Sequence, residues 1–172
     1  SLLSAVFCAF AVVLMKKVGD KVHPVAMNLF KNTLGLIFIG FTLFIIGEPF
    51  IQTDLNKEDY IRLIISGIIG IGLGDIIFLH SLNIIGAGIS ALVDTIYSPL
   101  VIIFAYFLLG EQLSALQLFG GLLIILAILF ASTKIQNISI NRERLKFGII
   151  LSISAIAMMA FAIVLMKPVL NK

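Results

Sequence analysis

Charge is scarce in this chain. Only 12 % of its 172 residues are Asp, Glu, Lys or Arg, while 60 % are hydrophobic and the mean hydropathy is +1.18. A soluble domain carries roughly one quarter charged residues. A core of this length cannot hide so many apolar side chains and leave so few charges for the surface, so a soluble globular domain is excluded. The composition is that of an integral membrane protein, with the lipid bilayer as its first partner. Tryptophan is absent, and the net charge of +3 comes from scattered lysines and arginines with no basic run. Without a basic face interleaved with aromatics, nucleic-acid binding is set aside. The one cysteine, Cys8, excludes an intramolecular disulfide and, inside an apolar segment, reads as a small packing residue. The chain opens at Ser1 with neither Met nor a charged n-region, so no signal peptide is legible and the amino terminus is expected to be incomplete. No strand and soluble helix frame its glycines as a phosphate loop requires. No cofactor and no metal is expected.

What the chain has instead is long apolar runs. About 20 apolar residues span the hydrocarbon core as a helix, and six runs of this kind fall at roughly 1–15 (incomplete), 25–47, 61–80, 87–109, 115–133 and 147–166. Their ends carry suitable chemistry. Pro24 suits a first helical turn, and Gly47-Glu48-Pro49 stops the second run. Gly110 is placed to cap the fourth. Ser114-Ala115-Leu116-Gln117 has capping-box spacing for the fifth, which predicts a tight hairpin between them.

One segment occurs twice. Ala9-Phe10-Ala11-Val12-Val13-Leu14-Met15-Lys16-Lys17-Val18 returns as Ala160-Phe161-Ala162-Ile163-Val164-Leu165-Met166-Lys167-Pro168-Val169, with eight of ten positions identical and an offset of 160 − 9 = 151 residues. The first and sixth runs are therefore equivalent, and one unit holds five crossings. Five is odd, so the second copy would lie upside down, as in the inverted repeats of many secondary transporters, whose substrate path runs between the halves. The expected fold is an all-α polytopic transmembrane helix bundle built on an inverted five-helix repeat, with six helices present. Residues 1–133 form the first unit, 134–146 an inter-repeat loop and 147–172 the first helix of the second unit. Lys16 and Lys167 would then lie on opposite faces of the membrane. The loops after runs 1, 3 and 5 carry Lys16, Lys17, Lys21, Lys134, Arg142, Arg144 and Lys146, against Lys57, Arg62, Lys167 and Lys172 on the other side. By the positive-inside rule the first side leans cytoplasmic.

Four ionisable residues sit inside the runs: Lys31, Asp75, His80 and Asp94. An unpaired charge near the bilayer centre costs about 2.5–3.5 kcal/mol even on the lenient insertion scale, so such residues face the protein interior and mark ion or substrate paths. If runs 3 and 4 meet near Ile85, Asp75 lies ten residues before the turn and Asp94 nine after, which puts both about 14 Å deep. Lys31, seven residues beyond Pro24, lies about 10 Å from the same side. Two carboxylates in low dielectric do not both ionise without a cation nearby. Lys31 can hold one charged while the other binds and releases a proton, which would make a proton-coupling site; a buried ion pair fixing helix register is the plainer alternative. His80, close to the turn, reads first as a headgroup-level residue and second as a proton relay. Asn28, Asn32 and Tyr97 either line the same path or hydrogen-bond between helices. Gly67, Gly70 and Gly74 recur within the third run, the last two in GxxxG spacing that favours close helix packing.

From Asp75 to Leu129 the chain reads Gly-Asp, His80-Ser81-Leu82, Gly86-Ala87-Gly88, Pro99, Leu109-Gly110-Glu111-Gln112-Leu113, Gln117 and Gly120-Gly121. This order resembles the EamA-type domain of the drug/metabolite transporter superfamily, in which a helix proline precedes an LGE turn and a Q and G follow. The resemblance extends to Lys31, where that family often has a basic residue. It implies ten helices in two inverted five-helix repeats around a central cavity, moving small metabolites across the cell membrane. It also implies cytoplasmic termini, opposite to the charge count. Glu111 matches the family's acidic position, although its place at a tight hairpin gives it a turn-stabilising role. Asp94 departs from the pattern, where a small or apolar residue is usual. The expected function is secondary-active transport of a small-molecule substrate, coupled to protons; a homodimer is left open. Two rivals stand beside it. Gly72-Leu73-Gly74-Asp75 reads GxGD, and with Asp94 it could activate water as an intramembrane aspartyl protease does, but the later Pro-Ala-Leu of that family is missing. A non-transporting accessory subunit is the other.

Overall fold

The computed structural model describes residues 2–47, 49, 55–112, 114–132 and 141–170; of the inter-repeat loop expected at 134–146, residues 134–140 lie outside them, and 142–146 are helical, so the last helix starts earlier than expected. Among the described residues there is no strand. The helices are α1 (Leu2–Gly19), α2 (Pro24–Ile46), α3 (Lys57–Ser66), α4 (Asp75–Asp94), α5 (Tyr97–Leu109), α6 (Ala115–Ser132) and α7 (Arg142–Leu170), with a π-helical stretch, Gly67–Gly74, joining α3 to α4. Three helical stretches among the described residues are long and apolar enough to cross a membrane: Pro24–Ile46, Lys57–Asp94 and Arg142–Leu170. Tyr97–Leu109 and Ala115–Ala127 are shorter apolar helices. Large apolar side chains cover the outside, with Phe44 at 74 %, Phe107 at 77 % and Leu116 at 81 % exposure. A surface of that kind has lipid as its solvent, and the molecule is an all-α helical membrane bundle.

Local chemistry sets the helix ends. Pro24 opens α2, where its missing N–H is no loss, and His23 Nδ1 accepts from Val25 N at 3.3 Å. Asn56 precedes α3, and its N–H donates to Asp59 Oδ2 at 3.1 Å. At the next hairpin Gly110 closes α5 in the left-handed conformation, and its N–H donates to Tyr106 O. Ser114 then starts α6 with both bonds of a capping box, Ser114 N to Gln117 Oε1 (2.9 Å) and Gln117 N to Ser114 Oγ (3.3 Å). The sequence expectation of a continuous helix over 87–109 is not met, because the helix breaks at Thr95-Ile96. Pro99 explains the break: it has no N–H to give the carbonyl four residues back, and it sits where a proline is tolerated, in the first turn of α5.

α4 contains a reversal. Gly86 has φ 79° and ψ 165°, a region closed to residues with a Cβ. The partners of α7 show that the chain folds back there. Gly148 of α7 lies against Ile84 and Ile85, Gly74 against Ala155 and Met159, and Gly70 against Ala162, so α7 runs antiparallel to the leg 57–85. Further on, Phe161 meets Phe104 edge to face (centroids 5.9 Å apart) and Lys167 meets Glu111, so α7 runs parallel to the leg 87–109. Wedged between the two legs, α7 is the most engaged helix of the bundle, touching α3, the π stretch, α4 and α5. Gly70 makes this approach possible, since a Cβ there would fall 2.7 Å from Ala162 Cβ. Two hydroxyls bridge the packed pair: Ser66 Oγ donates to Ala162 O and Ser81 Oγ to Gly148 O, each at 2.8 Å. Ile85, Ile89, Val93 and Ile156 form one core cluster, and Met27, Leu79 and Leu82 another beneath α1 and α2.

Candidate functional site

The polar residues of α2 fall on one stripe. Asn28, Lys31 and Asn32 are three and four residues apart, which places them on a single helix face. This face meets the π stretch and the start of α4. Asn28, only 4 % exposed, donates from Nδ2 to Ile71 O at 2.9 Å and Gly72 O at 3.4 Å, and accepts from Asn32 Nδ2 at 3.0 Å. Lys31 Nζ donates to Asp75 Oδ2, forming an ion pair whose side chains are 35 % and 19 % exposed. The π geometry belongs to this site. The Asp75 N–H donates to Gly70 O, five residues back, so Asp75 opens α4 at the point where the wide turns end. Short π segments in otherwise regular helices cluster at functional sites. Here the stretch brings together a close approach to α7 on one side, carbonyls that accept from Asn28 on the other, and a carboxylate at its end.

Asp75 also borders a cavity of about 250 Å³ between the leg 57–85 and α7, lined by Ser66, Gly70, Asp75, Tyr97, Met159 and Met166 among others. Tyr97, from the far side of the Gly86 reversal, thus borders the same cavity as Asp75. Asp94 is placed differently. It lines a separate cavity of about 360 Å³ beside α1, with Cys8, Val12, Phe78, Ala87 and Ala91. Counted from Gly86, Asp75 lies eleven residues before and Asp94 eight after, about 16 Å and 12 Å along the axis, so their depths are close although their cavities differ. Asn28 and Asn32 border a third, shallow hollow with Ile71, Gly72 and Ile76. His80 is exposed on α4. Glu111, just past the Gly110 cap, accepts from Lys167 Nζ at 2.5 Å, which ties the α5–α6 turn to the end of α7. Gly70 and Gly74 pack against α7, and Pro99 is buried in the first turn of α5. Among the described residues no three His, Cys, Asp or Glu side chains converge as a metal-ligand set.

Sequence reasoning missed the partners of the repeated lysines. Lys16 Nζ donates to Asp20 Oδ1 (2.6 Å) and to Asn83 O (3.2 Å), next to the Gly86 reversal, while Lys167 reaches Glu111 at the other end of the bundle. Each copy of the Met-Lys ending therefore ties its helix to a neighbouring chain reversal. The shared lysine was the available signal. The π stretch was also missed; its one sequence trace is the run GIIGIGLG, four glycines in eight residues.

A comparison with curated proteins and one with solved structures each found no match. The description "EamA-like transporter family" belongs to a family model that matches residues 1–133, a span running from α1 through α6, and the chain belongs to that family.

Proposed function

We propose that the chain works as part of a proton-coupled secondary transporter for small metabolites that crosses the cell membrane many times. In this reading α1–α6 form the first unit of an inverted repeat and α7 opens the second. Family membership supports transport of small substrates in a membrane. The observation that carries the mechanism is the Lys31–Asp75 pair set against the π stretch. Lys31 is the ion-pair partner of Asp75. Asp94 has no ion-pair partner among the described residues, so it is the carboxylate free to take up and release a proton. Any step that separates Lys31 from Asp75 leaves two uncompensated charges in the apolar layer, at a cost that the partial exposure of the pair reduces to about 1–2 kcal/mol each. That cost couples the position of α2 to the charge state of the site. The opposite placement of Lys16 and Lys167 supports the inverted arrangement, with the Asp75–Tyr97 cavity lying where the first unit meets α7.

The protease alternative needs two carboxylates on one water, whereas Asp75 and Asp94 line different cavities. Vesicles containing the full-length protein test the transport reading, with a panel of labelled amino acids, sugars and organic ions as candidate substrates. A pH gradient should drive uptake of at least one of them, and Asp75→Asn or Asp94→Asn should each abolish the pH-driven part while leaving insertion intact. Unchanged pH-driven uptake in both variants sinks the coupling.

A further inference from the structure

The cavity beside α1 has a composition unlike the others. Its lining is apolar, Cys8, Ala9, Val12, Val13, Phe78, Ala87, Gly88 and Ala91, except for a single formal charge, Asp94. No lysine or arginine lines it, and no ion pair among the described residues neutralises Asp94. Lys31, in the polar layer, is already committed to Asp75. Asp94 is exposed, and a lone carboxylate in an otherwise apolar wall favours a positive guest, because no other charge in the lining competes for it. Phe78 adds an aromatic wall, whose ring face attracts cations as well. The space, about 360 Å³, is large enough for a guest with an apolar body rather than a bare metal ion.

We infer that this α1–α4 cavity binds organic cations with an apolar body, with Asp94 as their counter-ion. This deepens the transporter reading and takes its physiological meaning from it, but its test does not depend on transport. Neutral guests find no hydrogen-bonding group here beyond Asp94 and the Cys8 thiol, and anions meet a like charge.

Cys8 provides the means of testing this, because it lines the same cavity and is the one cysteine of these 172 residues. Full-length protein in nanodiscs, with any cysteine outside these residues replaced, is treated with two methanethiosulfonates, one bearing a trimethylammonium and one a sulfonate. Each rate at Cys8 is divided by the same reagent's rate on a free thiol. The cationic reagent should be favoured by roughly tenfold, as one charge acting across a partly screened cavity predicts. Asp94→Asn should remove the preference and Asp94→Glu should keep it, the latter showing that the loss does not come from misfolding. Tetrabutylammonium should protect Cys8 from an uncharged maleimide in the wild type and the Glu variant but not in the Asn variant. A ratio that Asp94→Asn leaves unchanged overturns the assignment, as does a Cys8 that neither charged reagent reaches, or protection indifferent to Asp94. Failure of transport with the charge preference intact would refute the transporter reading alone.

Discussion

Replacing Asp75 by Asn leaves the Lys31 ammonium without its carboxylate, and replacing Lys31 by Met leaves the carboxylate without its cation. For a fully buried pair, removal of one partner costs about 3–5 kcal/mol. This pair is partly open, at 35 % and 19 % side-chain exposure, so solvent and headgroups relieve part of that cost. We expect about 1–2 kcal/mol for each single replacement. The double replacement Lys31→Met/Asp75→Asn removes both charges together and leaves no orphan, so it should cost no more than either single one. The coupling energy is then about 1–2 kcal/mol, well above the 0.3–0.5 kcal/mol scatter of independent sites. Purified full-length protein unfolded by increasing SDS in mixed micelles at low salt, with helicity followed by circular dichroism, gives the four free energies. If the double replacement costs the sum of the two single ones, Lys31 and Asp75 are not an energetic pair, and the role given to Lys31 fails.

Two further perturbations address the packing around the site. Gly70→Ala puts a Cβ 2.7 Å from Ala162 Cβ and should destabilise by about 1–3 kcal/mol in the same titration, while Ala162→Gly in that background should restore most of the loss; no rescue would mean that α7 does not pack there. Asn28→Leu keeps the bulk of the side chain but removes the donor to Ile71 O and Gly72 O, so it should cost about 1–2 kcal/mol and speed hydrogen exchange of the Gly67–Gly74 amides; unchanged exchange would show that Asn28 does not hold the π stretch.

Much of the scaffold was legible because membrane helices declare themselves through apolar length, and their ends through a few residue types. The reversal expected near Ile85 occurs at Gly86, and Ser114 and Gln117 form the box that their spacing announced. Depth was read by counting residues at a fixed rise, and the reversal at Gly86 sets those counts at eleven residues for Asp75 and eight for Asp94. Azimuth was not. Which way a side chain points around its helix depends on the whole packing and on local winding, and both change between these residues, through the π stretch before Asp75 and the break after Asp94. Hence one carboxylate turns to Lys31 and the other lines the cavity with Cys8 and Phe78. The capture of Asn28 by backbone carbonyls was hidden for a related reason: a sequence shows which groups can donate, but not where a helix widens to accept. The repeated Met-Lys pointed to equivalence between α1 and α7, while its physical use, tying each helix to a neighbouring reversal, needed the contacts of Asn83 and Glu111.

The central claim is that the cavity between the π-bearing leg and α7 lies on the path of a transported solute. Accessibility from each face of the membrane tests it most directly. In proteoliposomes of full-length protein carrying Cys8→Ser, Tyr97→Cys and Met159→Cys place thiols in that cavity, and Phe38→Cys, at a position 66 % exposed on α2, serves as the lipid-facing control. An impermeant thiol reagent added outside, or trapped inside, should label the two cavity positions from both faces and leave the control unlabelled. Labelling of Tyr97→Cys and Met159→Cys no faster than the Phe38→Cys control, or from one face alone under every condition tried, would contradict the account.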